Sequence, residues 1–266
     1  MDLNQGHKRL IEKHVRALDW MRDELMEMDS LINPVMGISS WDDAVIVDYK
    51  GKKLVVSVDG PYTKRLVMKS ALIHSATDVM VKGAKPLFAL DTVIGGLDDV
   101  KEMMASLKRQ ALAMNIPLLG GNTLFEEAEP RCSLTVVGRL LSAEPIRDSG
   151  AKKGDILALL GEPLWGVQEE RIIKANKLFD TWFTILDKDI KINASKDVTK
   201  GGLISAVYEI SEKSGAKFVL EEKPPFSVTR NLDNFLLSVP EKSFQEIRDI
   251  CKKTGCSFVA VGKILR

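Results

Sequence analysis

The sequence predicts an α+β protein in two halves, each layering helices against a mixed sheet. Three observations carry this reading. Apolar runs of strand length recur along the chain, segments of helical periodicity lie between them, and the connections mix hairpins with crossovers. A doubly wound parallel sheet would need strict strand–helix alternation. At 266 residues the chain can bury one large core or two modest ones, and two suits the pattern.

The elements follow in order. Apolar residues Leu10, Ile11, Val15, Leu18, Leu25 and Met28 stand at near-helical spacing, predicting one long amphipathic helix over about 2–28. Asn33-Pro34 and Gly37 end it. The runs 44–47 and 54–58, joined by Lys50-Gly51-Lys52, read as a β-hairpin. A helix over 65–82, a strand over 87–94, a helix opened by Asp98-Asp99 and running to about Asn115, and a strand over 133–140 follow. Residues 116–119 lead into Gly120-Gly121-Asn122-Thr123. A boundary near 145–150 divides the chain into 1–147, with an N-terminal helix in 1–30, and 148–266. Beyond it the sequence predicts strands at 156–160, 217–220, 235–239 and 257–261. Its helices there lie at 169–179, from Asp197 to about 214, and at 241–254.

Composition narrows the function. With 38 basic and 37 acidic residues the net charge is +1, so bulk charge gives no case for nucleic acid or an anionic membrane as partner. No apolar run approaches the ~18 residues of a membrane span. The first thirty residues carry many charges and lack the apolar core of a secretory signal, so a cytoplasmic location is expected. Three cysteines, Cys132, Cys251 and Cys256, are too sparse for a zinc site and are expected as packed, reduced residues.

The chemistry lies in the acids. Asp42 and Asp43 precede a strand, Asp59 is expected to end one, Asp78 falls on the following helix, and Asp197 opens a later helix. Clustered carboxylates repel unless protons or cations offset them, and Mg²⁺ suits such oxygen ligands beside phosphates. Gly120-Gly121 would let the backbone approach phosphate oxygens, and Gly201-Gly202 at a helix start could do the same. Lys200 sits beside Asp197 at that helix start, a position suited to phosphate.

The motifs come in one order: Asp-Asp-Ala-Val-Ile (42–46), Asp-Gly-Pro-Tyr-Thr-Lys (59–64), Ala-Thr-Asp-Val-Met-Val-Lys-Gly-Ala-Lys-Pro (76–86), Gly-Gly-Asn-Thr (120–123), Ser-Gly-Ala-Lys-Lys-Gly-Asp (149–155) and Asp-Val-Thr-Lys-Gly-Gly-Leu (197–203). Over about 38–264 this resembles the aminoimidazole-ribonucleotide (AIR) synthetase-like ATP-binding superfamily. That group includes thiamine-monophosphate kinase, selenophosphate synthetase and the hydrogenase-maturation dehydratase. The resemblance implies a ferredoxin-like N-terminal domain whose sheet pairs with a second subunit's to close a dimeric β-barrel. A smaller, shortened C-terminal α/β-sandwich domain would follow. It implies ATP and Mg²⁺, with Asp42, Asp43, Asp59 and Asp78 at metal positions. Gly60, Thr63, Lys64, Gly120, Gly121, Asn122 and Thr123 would stand at phosphate positions, and Asp197 and Lys64 would be catalytic. It implies transfer of the γ-phosphoryl group of ATP to activate a small acceptor, in a homodimer. The chain departs from the pattern at Trp41, where a glycine usually precedes the paired acids, and at Asn122, where many members carry an acid. It has no cysteine before Cys132, whereas selenophosphate synthetases need a reactive one in an N-terminal loop. A different class also suits these departures: a nucleotide-binding, non-catalytic assembly or regulatory subunit. His74, in the helix near Asp78, is expected at a partner surface.

Overall fold

The structure, a computed structural model, describes residues 3–221 and 224–265; Asp2, where the first helix is predicted to start, lies outside the described residues. The expected single N-terminal helix is a string of short pieces. These are α1 (Gln5–His14), α2 (Asp19–Leu25) and α3 (Asp29–Ile32), joined by 3-10 turns at Arg16–Leu18 and Met26–Met28. The Asn4 side chain caps α1 through the His7 N–H. Trp20, Leu31 and Ile32 stay exposed, so most of the apolar spacing has no core to hold it as one straight rod.

Strands β1 (Val45–Tyr49) and β2 (Lys52–Thr63) form the predicted hairpin, with Val47 opposite Leu54. β2 continues to Thr63, so Asp59 lies within the strand, at a register shift before Tyr62, and does not end it. Gly60 occupies this irregularity at φ +121°, and a Cβ there would meet Ser133 Oγ at 2.8 Å. A glycine is required on both counts.

The helix predicted over 65–82 is two, α4 (Lys64–Val67) and α5 (Ala71–Val81). The break comes from a distant residue. The Val67 carbonyl accepts from Ser106 Oγ at 3.0 Å and Gln110 Nε2 at 2.8 Å, while Gln110 Oε1 accepts the Leu72 N–H at 3.0 Å. One side-chain amide thus takes a carbonyl from the end of α4 and an orphan donor from the first turn of α5. Ten of the eleven residues of α5 are buried, Asp78 being the exception.

β3 (Ala84–Gly95), α6 (Leu97–Met114), β4 (Leu118–Phe125) and β5 (Arg131–Leu140) complete the first sheet, in the order β1-β2-β5-β3-β4. All its pairs are antiparallel except β3–β4. The order β2–α5–β3–α6–β4–β5 differs from the ferredoxin-like β-α-β-β-α-β expectation. Helices here link the first three strands in succession, and the last connection carries the chain from the edge strand β4 across β3 to β5, which pairs with β2 and β3. The sheet is open in the single chain, with β1 and β4 at its edges.

After a 3-10 turn at Asp148–Gly150 come β6 (Ile156–Leu160), α7 (Gln168–Asp187), β7 (Ala194–Asp197), α8 (Gly202–Lys213), β8 (Phe218–Leu220), β9 (Phe235–Val239), α9 (Glu241–Thr254) and β10 (Phe258–Ile264). They form a second, antiparallel sheet in the order β7-β9-β6-β10-β8. Helices cover both of its faces, not one. Leu157, Leu159, Leu236 and Val261 share a core with Leu203, Ile204 and Val207 of α8. The alternate residues Ala158, Leu160, Phe235 and Leu237 pack with Leu178 and Trp182 of α7 and Ile247 of α9. Every residue of β6 and β9 is buried, which one layer of helices could not achieve. This second core cluster is continuous with that of the first sheet through α5 and α7, and Trp182 Nε1 donates to the Met80 carbonyl at 2.7 Å.

Candidate functional site

Four of the predicted acids meet. Asp43 comes from the segment before β1, Asp59 from β2, Asp78 from α5, and Asp197 from the end of β7, with four residues between it and the start of α8. Asp197 therefore closes a strand and does not open the helix. Burial and the charges of Asp197, Asp59 and Asp43 hold the Asp78 carboxyl well above the usual range. Burial and Asp43 push Asp197 up to about 7, against the pull of Lys196 and His74. Among the charges that act on Asp78, that of Asp197 is the largest. Ser57 Oγ donates to Asp78 at 2.9 Å and Thr77 Oγ1 to Asp197 at 3.0 Å.

Among the described residues, no three His, Cys, Asp or Glu side chains form a ready-made metal cage. Orphaned oxygens nevertheless stand beside the cluster. Asp42 Oδ2 and Asp43 Oδ2 are buried and lack a hydrogen bond. Arg147 is 3.9 Å from the first, and the Lys82 ammonium is 3.0 Å from the second, close enough for an ion pair but without hydrogen-bond alignment. Burial and Asp148 push the Asp42 carboxyl up. An all-oxygen set of carboxyls, several of them held above their ordinary range, fits a hard divalent cation whose remaining ligands come from water and phosphate.

Three lysines that sequence reasoning missed stand around these acids. Asp148, fully buried, contacts the ammonium groups of Lys82, Lys196 (3.5 Å) and Lys213 (2.9 Å). Lys82 also donates to the Ser195 carbonyl at 2.8 Å. Lys196 pairs with Asp43 and, at 3.2 Å, with Glu209. Lys213 donates to the Trp41 carbonyl and lies 3.6 Å from Asp42. For two of them the sequence offered a signal, Lys82 one turn after Asp78 and Lys196 next to Asp197; Lys213 stands beside no predicted acid.

His74 is buried, not at a partner surface, because α5 is enclosed on nearly all sides. Its Nδ1 bonds Asp233 of the second half, and its Nε2 lies 3.2 Å from Asp59 of the first. Burial alone would lower its pKa, but Asp233, Asp59 and Asp197 raise it to about 9. Tyr62 packs edge-on against the imidazole and donates to Asp59 Oδ2 at 2.6 Å.

Other predicted positions stand apart from the aspartates. Lys64 pairs with Asp99 at 2.7 Å and Glu102 at 2.5 Å on α6, and Thr63 makes no capping bond ahead of α4. Gly120, Gly121, Asn122 and Thr123 do not form a turn; they lie in the exposed edge strand β4. A Cβ on Gly121 would sit 1.7 Å from the Asp91 carbonyl oxygen, so this glycine serves the β3–β4 approach, whereas Gly120 faces open space. Lys200 is brought beside Asp197. The two line a cleft of about 320 Å³ with Lys196 and Thr199, and Lys13 and His14 border it from the N-terminal helix. Trp41 has φ +50°, in the left-handed region where glycine is favoured.

Comparisons with known proteins agree with this architecture. The profile of the AIR synthase related protein N-terminal domain matches residues 41–140, and that of the C-terminal domain matches 134–266. The chain is similar to an uncharacterised protein of Methanocaldococcus jannaschii, 39% identical over 95% of this chain and 86% of that one. It is also similar to a selenide, water dikinase of Caldanaerobacter subterraneus, 28% identical over 69% of this chain and 59% of that protein. Among solved structures, PurL of T. maritima complexed with ATP superposes with a TM-score of 0.70 at 12% identity, over 83% of this chain and 42% of that one. The last two are longer proteins of which this chain spans about half. With both profiles matched in tandem, the chain belongs to the AIR synthase related family.

Proposed function

We propose that the protein binds Mg-ATP at the aspartate cluster and uses the γ-phosphoryl group to activate a small acceptor. One observation carries this reading: Asp43, Asp59, Asp78 and Asp197 converge from four separate elements into a partly protonated group. Holding four acids together costs stability unless a cation is the intended partner. Bound Mg²⁺ would neutralise phosphate charge and fix the geometry for transfer. In this reading Asp42, Asp43, Asp59 and Asp78 hold the ion, while Asp197 and Lys200 face phosphate or acceptor across the cleft. Gly60, Thr63, Gly120, Gly121, Asn122 and Thr123 lie along the phosphates, and Lys64 joins them by leaving Asp99 and Glu102. The relative solved with ATP supports the choice of nucleotide. Selenide chemistry is not part of the proposal, because all three cysteines are buried and the first lies within β5.

The uncovered face of the first sheet supports a homodimer. Val45, Val58, Leu87 and Leu90 are exposed on the side away from α5, with Val58 at 70%. An apolar sheet face of this kind suits a second copy, and two such sheets would close the barrel that the resemblance implies. The division at 147/148 belongs to the same reading. A nucleotide-binding subunit without turnover is the second reading, favoured by Trp41 and by Asn122, an amide on an exposed strand.

Calorimetric titration of ATP with and without Mg²⁺, on wild type and Asp78→Asn, tests the proposal. Mg²⁺-dependent binding that the substitution abolishes is the expected result. No binding by wild type under either condition overturns it. ADP release across an acceptor panel separates the two readings, since the subunit alternative binds without turnover.

A further inference from the structure

We propose that Lys196 is a resident cation that holds Asp43 until nucleotide and metal arrive together, so that the divalent ion binds the free protein weakly. The inference rests on the metal reading above and deepens it. Two ammonium groups flank Asp43: Lys196 at Oδ1 and Lys82 at Oδ2, the latter at 3.0 Å. Lys82 is fully buried and stays fixed by Asp148 and the Ser195 carbonyl. Lys196 is 7% exposed and lines the cleft shared by Thr199, Lys200 and Asp197, so it has a path out.

A divalent cation on Asp43 would use the unbonded Oδ2 and stand beside the Lys196 ammonium held at Oδ1 of the same carboxylate. Repulsion between the two positive charges therefore favours withdrawal of Lys196 as the metal enters. Within the free protein its other partners are Glu209 at 3.2 Å and Asp148 at 3.5 Å, and Asp148 is already shared with two more lysines. A phosphate in the cleft offers the displaced ammonium a new anionic partner. Lys196 then passes from Asp43 to phosphate as the metal passes from water to Asp43, and each ligand favours the other. Coupling of this kind is reciprocal, and typical couplings are about 5–150-fold. Lys196 is a positioning residue for the metal and a contact for the nucleotide.

The test measures Mn²⁺ binding by electron paramagnetic resonance, with and without a non-hydrolysable ATP analogue, on wild type, Lys196→Met and Lys196→Arg. Wild type should bind Mn²⁺ at least about tenfold more tightly with the analogue present. Lys196→Met should bind Mn²⁺ alone about tenfold more tightly than wild type and show little further gain from the analogue. Lys196→Arg should keep the wild-type coupling. If Lys196→Met fails to fold because Glu209 loses its partner, the double variant with Glu209→Gln removes that orphan and should give the same tighter binding. Unchanged Mn²⁺ affinity in Lys196→Met, with wild type binding normally, overturns this inference alone. No Mn²⁺ binding by any form, even with the analogue, overturns the metal reading and this inference with it.

Discussion

Asp148→Asn should be among the most damaging single changes outside the apolar core. The carboxylate has no exposed surface and touches three ammonium groups, Lys82, Lys196 and Lys213. Removing one partner of a buried ion pair costs about 3–5 kcal/mol, because the remaining charge is stranded. Each lysine keeps another acceptor here: Lys82 has Asp43 and Ser195, Lys196 has Asp43 and Glu209, and Lys213 has the Trp41 carbonyl. The lower end, about 3 kcal/mol, is therefore expected. For a chain of this size that corresponds to a fall in Tm of roughly 6–12 °C. Urea unfolding at pH 7 reads it as a lower midpoint at constant slope. Burial alone would raise the Asp148 carboxyl, but Lys196, Lys82 and Lys213 pull it well below its ordinary 3.8. A depressed acid stabilises the fold above its unfolded pKa and loses that contribution as pH falls toward the folded value. The gap between wild type and variant should thus be full at neutral pH and close by about 1 kcal/mol per unit below pH 4. A gap under about 1 kcal/mol at pH 7, or one that does not change on acidification, would refute the reasoning.

Three further outcomes follow from the same geometry. His74, raised from 6.5 to about 9, stabilises the fold below pH 6.5, and that contribution fades as pH rises through 9. Wild-type Tm should fall across this window while His74→Gln stays flat, and an equal slope in both would remove His74 from the explanation. Gly121→Ala forces a Cβ to within 1.7 Å of the Asp91 carbonyl, which should cost about 3 kcal/mol in urea unfolding and loosen β4 in hydrogen exchange; a neutral effect would show that this strand pairing yields. Val58→Asp, at a 70% exposed site on the open sheet face, should leave far-ultraviolet circular dichroism unchanged and convert a dimer to monomer by light scattering. A monomeric wild type, or a dimer that tolerates the aspartate, would count against that face as the interface.

Local patterns in the sequence were readable wherever one element decided its own limits. α9 occupies 241–254 as predicted, because an amphipathic repeat ends at Gly255, which takes φ +69°. α6 stops before Asn115 for the same kind of reason, a left-handed residue at its end. β7 was not foreseen: Ala-Ser-Lys-Asp carries no apolar run, yet all four residues are buried and its polar groups are satisfied by partners far along the chain, such as Val81 and Asp43. The division of α4 from α5 was equally hidden, since it depends on Gln110, 38 residues beyond Leu72. At the site, the order of the acidic motifs pointed to Asp43, Asp59, Asp78 and Asp197. The lysines did not stand out, because a lysine in sequence reads as a solvated surface residue until a buried acid is placed against it.

Because α5 is enclosed by both sheets, the two matched segments cannot slide past each other as separate bodies without tearing the helix out of one of them. Asp78 and His74 travel with it, so carboxyl and imidazole keep a fixed spacing whatever happens at the periphery. Accommodation of a ligand is thereby left to the outer pieces: the broken N-terminal helices beside the cleft, the edge strand β4, and the Lys64 side chain on its salt bridges. Movement there can open the cleft without disturbing the aspartate cluster, which makes the long, interrupted N-terminal segment the part of the chain to watch in time-resolved exchange experiments.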